Sequence, residues 1–238
     1  MALAIFDLDD TLVDCDSEGL WLKFMVERGL VDAQAIQRVV EFTQTYAVGQ
    51  MDFDQYEVFF LNLFKDLPAD TLRESLAGFL QLVRSHLRPE VLERLNRHRA
   101  QGDRILLITA TSVFLSRPIA DLLGVADLIA TQSELDTEGR PTGKIIGTIP
   151  FQARKVILLD AWLRENGCSL EDSWGYSDSC NDLPFLQKAA HPVAVAPDKI
   201  LRDHALKHGW EILLDGGGGV LKEFIDLNTD LVGNSCDR

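Results

Sequence analysis

The segment that most constrains this chain is its amino-terminal one. Ala2-Leu-Ala-Ile-Phe6 is a short apolar run that stops abruptly at Asp7-Leu-Asp-Asp-Thr11, with Asp14, Asp16 and Glu18 close behind. A short run that is apolar at every position reads as a strand buried on both faces, the habit of parallel sheets in α/β folds. Carboxylates crowded this tightly repel one another unless a cation or a proton sits between them. In open α/β sheets, ligands bind outside the carboxyl ends of the strands. The segment therefore predicts a hard-cation site at a strand end. Taken alone, the same residues read equally well as a solvated acidic turn, and the rest of the chain decides between the two.

From Ser17 to Ser85 apolar residues recur at helical spacing. The groups are Leu20, Trp21, Phe24 and Met25; Ile36, Val39 and Val40; Tyr56, Phe59, Phe60, Leu63 and Phe64; and Leu72, Leu76, Phe79, Leu80 and Val83. Ser17, Asp32, Asp52 and Asp70 are placed to open these four helices, Gly29 to end the first and Pro68 to close the third. The aromatic stripe is expected as the core of this bundle. From Pro89 onward helices and strands alternate. Helices are expected from Pro89 to Gly102, up to Gly124, from Gln152 to Asn166 and from Asp198 to His208. Strands are expected at Ile105–Ile108, Leu128–Ala130, Ser173–Tyr176, Val193–Ala196 and Glu211–Leu214, with a hairpin-like excursion between Ser133 and Gly147. Asp215 to Gly219 reads as a flexible turn, and the tail after Asn228 as frayed. His98, His204 and His208 read as helix surface. The fold class is α/β, with a mainly parallel sheet covered on both faces. Residues 1–16 and 86–238 form the core domain, and residues 17–85 a helical cap inserted after the first strand, above the acidic site.

Composition removes several classes of function. With 238 residues, of which 46% are hydrophobic, the chain is expected to bury a packed core. A net charge of −14 and a pI near 4.7 oppose binding to nucleic acid or to an anionic membrane surface. The four cysteines (Cys15, Cys168, Cys180 and Cys236) have no Cys-x-x-Cys spacing and read as free thiols. Neither a signal peptide nor a membrane-spanning stretch is evident, so a cytoplasmic location is expected. No sequence feature sets an oligomeric state.

Three apolar runs end in groups that suit phosphoryl transfer: Asp7 with Asp9, Thr109, and Asp178 with Asp182; Lys155 lies in the helix before the last. Hydrolysis of a phosphate monoester needs a nucleophile in line with the leaving oxygen and a divalent ion to offset charge. It also needs donors to hold the phosphoryl group and an acid for the leaving alcohol. Asp7 is the candidate nucleophile, forming an aspartyl-phosphate. Asp9, two residues on, is the candidate acid and later base. Asp178 suits magnesium, which prefers oxygen ligands. Thr109 and Lys155 suit the phosphate. Each also has an ordinary reading: Thr109 as a helix cap, Lys155 as a solvated lysine with Arg154 competing for its role, Asp178 and Asp182 as helix N-terminal acids. Their joint occurrence, in this order on strand ends, favours the site.

In this order the motifs resemble those of the haloacid dehalogenase-like phosphatases. Asp7-Leu-Asp-Asp-Thr11 is similar to the first motif, Asp-x-Asp-x-Thr, and Ile105 to Thr109 to the second, an apolar strand ending in Ser or Thr. Lys155 falls where the third motif has its lysine, and Ser177-Asp-Ser-Cys-Asn-Asp182 resembles the fourth, Gly-Asp-x-x-x-Asp. The resemblance covers nearly the whole chain. The helical insert and the Asn181-Asp182 pair are similar to the phosphoserine-phosphatase-like subgroup. The resemblance implies a Rossmann-like three-layer core and a helical cap. It also implies Mg2+ held by the Asp7 and Asp178 carboxylates and the Asp9 backbone carbonyl, with Asp182 supporting them. Asp16, Glu18, Ala110, Asn181 and Phe60 are the expected substrate contacts.

The departures bear on substrate. Ala110 and Thr111 stand where the subgroup has two glycines, and Ser177 where the fourth motif has one. Phosphoserine phosphatases carry a cap arginine for the serine carboxylate, whereas Met51 to Phe60 offers Val58, Phe59 and Phe60. Asp16 corresponds to their amine-binding glutamate. With Asp14, Asp16 and Glu18 crowding the entrance, an anionic leaving group would be desolvated unpaired, at roughly several kcal/mol. A cationic one would be favoured, and Phe59 or Phe60 could pack against a ring. The expected partner is therefore a small phosphorylated metabolite, an amino-alcohol phosphate such as L-histidinol phosphate. The subgroup includes histidinol-phosphatases. One alternative is a phosphoserine phosphatase that uses Lys65, Arg84 or Arg88 for the carboxylate. A second, of a different class, is a phospho-aspartate signalling or binding module without turnover.

Overall fold

A computed structural model describes residues 2–47 and 52–214. The chain first forms β1 (Leu3–Phe6), then four helices: α1 (Ser17–Glu27), α2 (Gln34–Ala47), α3 (Phe53–Asn62) and α4 (Ala69–Ser85). It continues through α5 (Pro89–Gln101), β2 (Arg104–Ser112), α6 (Val113–Leu122), β3 (Asp127–Leu135), β4 (Pro141–Ile146) and α7 (Ala153–Asn166). Then come β5 (Trp174–Ser177), a 3-10 turn at Cys180–Asp182, the one-turn α8 (Leu183–Leu186), β6 (His191–Val195), α9 (Lys199–His208) and β7 (Glu211–Leu213). The seven strands form one sheet in the order β4-β3-β2-β1-β5-β6-β7. Every pairing is parallel except β3 with β4.

The pleat of β1 divides the core into two. Ala4 and Phe6 face a cluster with Trp21 and Phe79 of the early helices and with α5 and α6. Leu3 and Ile5 face the opposite way, onto Leu159 of α7, Phe185 of α8 and Leu201 of α9. Alternation along a strand covered on both faces demands this arrangement, and the result is the three-layer α/β/α fold. On the first face Trp21 packs tilted against Phe64 and edge-on against Phe79 and Phe114, with ring centroids 5.6, 5.2 and 6.0 Å away. Truncating such a ring costs about 3–5 kcal/mol. The aromatic stripe is indeed core.

Several local expectations need correction. β2 does not end at Ile108 but runs to Ser112, because its pairing with β3 shifts register between Ile108 and Ser112 and then resumes. β3 extends to Leu135 because β4 pairs with it antiparallel, forming the expected hairpin. Asp16, not Ser17, caps α1, and Asp70 lies in the first turn of α4 behind Pro68. His98 is buried rather than surface. Its Nδ1 lies 3.0 Å from Asp103 Oδ2 and its Nε2 2.8 Å from the Tyr176 hydroxyl. The turn at Asp215–Gly219, Cys236 and the tail lie outside the described residues. No helix among the described residues is long and apolar enough to cross a membrane.

Candidate active site

β2, β1 and β5 are adjacent and parallel, so Thr109, Asp7 and Asp178 come to the same carboxyl edge of the sheet. Strand pairing carries one residue past β1, where the Asp7 N–H donates to the Tyr176 carbonyl at 3.0 Å. Lys155 sits in the first turn of α7 and is only 4% exposed. Its Nζ donates to Asp7 Oδ1 and to Asp182 Oδ2, each at 2.8 Å. Arg154 is exposed, so the competition between the two cations goes to Lys155. Asp182 Oδ2 also accepts from the Ser177 hydroxyl at 2.7 Å, which gives the serine in the glycine position a place in the network.

Asp9 lies between α1 and β2. Its Oδ1 accepts the Ser17 N–H at 2.9 Å, and its Oδ2 accepts from the Thr111 hydroxyl. Asp10 follows with φ of 53°, a left-handed turn that aspartate tolerates and that reverses the chain directly after Asp9. Thr109 is buried, and its Oγ1 accepts the Thr111 N–H at 3.1 Å, leaving the hydroxyl proton to donate.

Burial dominates the electrostatics. It pushes the Asp7 carboxyl up to about 7, with Lys155 opposing and Asp182 reinforcing. It raises Asp178 well above the carboxylate range, helped by Asp7, Asp10 and Asp182. Asp9 is raised as well, against its hydrogen bonds from Ser17 and Thr111. For Lys155 burial opposes the charge, but Asp182 and Asp7 outweigh it and hold the lysine above its ordinary value. Two buried carboxylates, Asp7 and Asp182, thus share one lysine, and Asp9 and Asp178 add negative charge beside them. An all-oxygen donor set in deficit of positive charge is chemically suited to a divalent hard cation.

Residues 4–187 match the haloacid dehalogenase-like hydrolase family. The chain belongs to the haloacid dehalogenase-like hydrolases. It is 36% identical over 216 residues to a histidinol-phosphatase of Neisseria meningitidis serogroup C, covering 89% of this chain and 97% of that one. A crystal structure of a Bordetella pertussis protein of unknown function superposes with a TM-score of 0.82 at 35% identity, covering 90% of this chain and 98% of that one. A substrate-bound phosphoserine phosphatase shares the fold, with a TM-score of 0.64 at 20% identity over 95% of this chain and 97% of that one. The enzyme class of this hydrolase is phosphoric monoester hydrolase.

The substrate contacts expected of this hydrolase do not all gather. Phe60 has no exposed surface. Its ring packs 6.0 Å from Tyr56 and 5.1 Å from Phe64, so it is bundle core and not a platform for a substrate ring. Phe59 packs against Phe42 at 5.7 Å. Asp14 is exposed and pairs with His86 Nδ1 at 2.7 Å. Asp16 caps α1 by accepting the Glu18 N–H at 3.0 Å, and Asp9, Glu18 and Asp10 add to burial in raising its carboxyl. Ala110 gives its carbonyl to the Thr131 hydroxyl. Asn181 ties the fourth motif to the start of α7, accepting Gln152 Nε2 at 3.0 Å and donating to Ser179 Oγ at 3.1 Å. Of the alternative cations, Lys65 and Arg84 are exposed, whereas Arg88 Nε donates to the Asp10 carbonyl at 3.3 Å.

Sequence reasoning missed two groups. Thr11 Oγ1 donates to Asp178 Oδ1 at 3.0 Å and accepts the Asp178 N–H at 3.1 Å. Glu57 is buried beside Glu18, whose carboxyl accepts the Ser112 N–H at 3.2 Å and hydrogen-bonds Tyr56 and Glu57. Burial pushes Glu18 up to about 7 and Glu57 well above its ordinary value. The signal for Glu57 was its helical spacing: at i+3 and i+4 it shares a face of α3 with the buried Phe60 and Leu61.

Proposed function

We propose that this hydrolase is a Mg2+-dependent phosphomonoesterase that works through an aspartyl-phosphate on a small amino-alcohol phosphate, with L-histidinol phosphate the best match. The observation that carries the reading is Lys155 bridging Asp7 and Asp182 in a buried, acid-rich site at the strand ends. Residues 17–85 act as a cap domain on a core of residues 1–16 and 86–238, closing the site to bulk water. The Asp7 and Asp178 carboxylates and the Asp9 carbonyl would hold the ion, with Asp182 orienting the lysine. Magnesium supplies charge neutralisation at the phosphate oxygens.

The chain's own groups perform the rest. Thr109 and Lys155 hold the phosphoryl oxygens. An Asp7 oxygen attacks phosphorus, the ester P–O bond breaks, and Asp9 delivers its proton to the leaving alcohol. Asp9 then takes a proton from water, which attacks the same phosphorus and releases phosphate from Asp7. The raised Asp9 carboxyl suits a proton carrier. Asp16 and Glu18 favour a positively charged alcohol, and the likeness to a histidinol-phosphatase supports that choice. A cytoplasmic setting fits three described cysteines that are free thiols.

Phosphate release with Mg2+ from histidinol phosphate and from phosphoserine, measured in parallel, tests the substrate. Faster turnover of histidinol phosphate is expected. Faster turnover of phosphoserine would favour the second reading, in which Arg88 beside Asp10 serves the carboxylate. Failure of every ester would leave the binding or signalling reading, which the acid-base group Asp9 beside Asp7 disfavours.

A further inference from the structure

We infer that Glu57, acting with Glu18 and Tyr56, forms a buried subsite for the cationic group of the leaving alcohol, and that Glu57 sets specificity for a positively charged ester. The inference deepens the proposed function and rests on its reading of a cationic substrate. Glu57 is 3% exposed, yet its Oε2 has no hydrogen-bond partner among the described residues. A carboxyl oxygen left in this state is costly unless a ligand completes it. The charges acting most strongly on Glu57 are those of Glu18, Asp16 and Asp9, all acidic.

The position is what a leaving-group subsite needs. Glu57 comes from α3 and Glu18 from α1. Glu18 is anchored to the N–H of Ser112, three residues beyond Thr109 on β2. Asp9, the acid proposed for the leaving oxygen, is bound to Ser17, the neighbour of Glu18. The pair therefore lies on the cap side of the proton donor, where the alcohol departs. An ammonium or imidazolium carries N–H donors and positive charge, and both are what Glu57 lacks. An apolar side chain at position 57 would sit beside the buried Phe60 and Leu61 of α3 without this cost, so helix packing does not explain a carboxylate there.

Glu57→Gln keeps the shape and a hydrogen bond to Glu18 but removes the ability to carry a negative charge against a bound cation. In the full-length enzyme with Mg2+, kcat/KM is measured for histidinol phosphate and for p-nitrophenyl phosphate, and histidinol binding by calorimetry. The ratio of the two kcat/KM values is expected to fall by about tenfold or more, through KM of the cationic ester, with histidinol affinity falling in step. A ratio and an affinity both within about twofold of wild type would overturn the inference, because a structural carboxyl pair would behave that way. If Glu57→Gln does not fold, Tyr56→Phe is read in the same assay, with the same direction expected and the same null change overturning it. If wild type turns over no ester but binds histidinol in a Glu57-dependent way, the hydrolase reading fails and the subsite stands.

Discussion

Thr11 and Asp178 hold each other reciprocally: the threonine hydroxyl donates to Asp178 Oδ1 at 3.0 Å and accepts the Asp178 backbone N–H at 3.1 Å. The first and fourth motifs, 167 residues apart in sequence, are thereby locked to one another. Thr11→Val loses both bonds while keeping the volume. We expect Mg2+ affinity to fall by about 10–100-fold, as when groups that orient a metal ligand are removed. A Mg2+ titration of phosphatase activity measures it, and Thr11→Ser should recover most of the loss.

Lys155 is the positive centre of a buried carboxylate cluster. Replacing it by Met leaves Asp7 and Asp182 without their counterion. Removing one partner of a buried ion pair costs about 3–5 kcal/mol. Urea denaturation in EDTA at neutral pH should show that loss, together with abolished turnover in Mg2+. Unchanged stability would mean that Lys155 is not the counterion of this site.

Acid sensitivity is built in away from the site. Burial tends to raise the Asp103 carboxyl, but the hydrogen bonds from His98 and from the Ala2 N–H outweigh it and hold the group below its ordinary range. A carboxylate depressed in the folded state stabilises the fold fully above its unfolded pKa of about 3.9, and that contribution is lost as pH falls through the folded value. Thermal melts of wild type and Asp103→Asn should therefore differ at neutral pH and converge under acid conditions. A gap that widened with acid would contradict the assignment.

The contact between α3 and the β3–β4 hairpin is equally testable. Gly143 has φ of 84°, and a Cβ there would lie 2.5 Å from Asn62 Oδ1. Gly143→Ala should destabilise by about 1–2 kcal/mol, part of it from the left-handed backbone. Adding Asn62→Ala should restore the steric part only. Additive losses would indicate that α3 does not rest on the hairpin.

How far the sequence carries can be seen residue by residue. Asp7, Thr109 and Asp178 were readable because a parallel sheet sends the ends of adjacent strands to one edge, so three apolar runs that end in reactive groups imply convergence. Lys155 followed from its place in the helix before β5, and its burial settled the competition with Arg154. Glu57 and Phe60 were not readable in the same way. Helical spacing reports which residues share a face, not what that face meets, and α3 turns Phe60 into its own aromatic core while burying Glu57 against Glu18. His98 escaped for a related reason: its partners Asp103 and Tyr176 come from beyond its own helix. The true end of β2 was hidden because the register shift after Ile108 depends on β3, not on the apolar run itself.

The covalent role of Asp7 is the centre of the account. The direct test is to quench the enzyme in acid while it turns over histidinol phosphate with Mg2+, then map phosphorylation by peptide mass spectrometry. The account predicts one phosphoryl group on the peptide carrying Asp7, and neither label nor turnover in Asp7→Asn. Turnover that persists in Asp7→Asn, or a phosphoryl group trapped on a different residue, would contradict it.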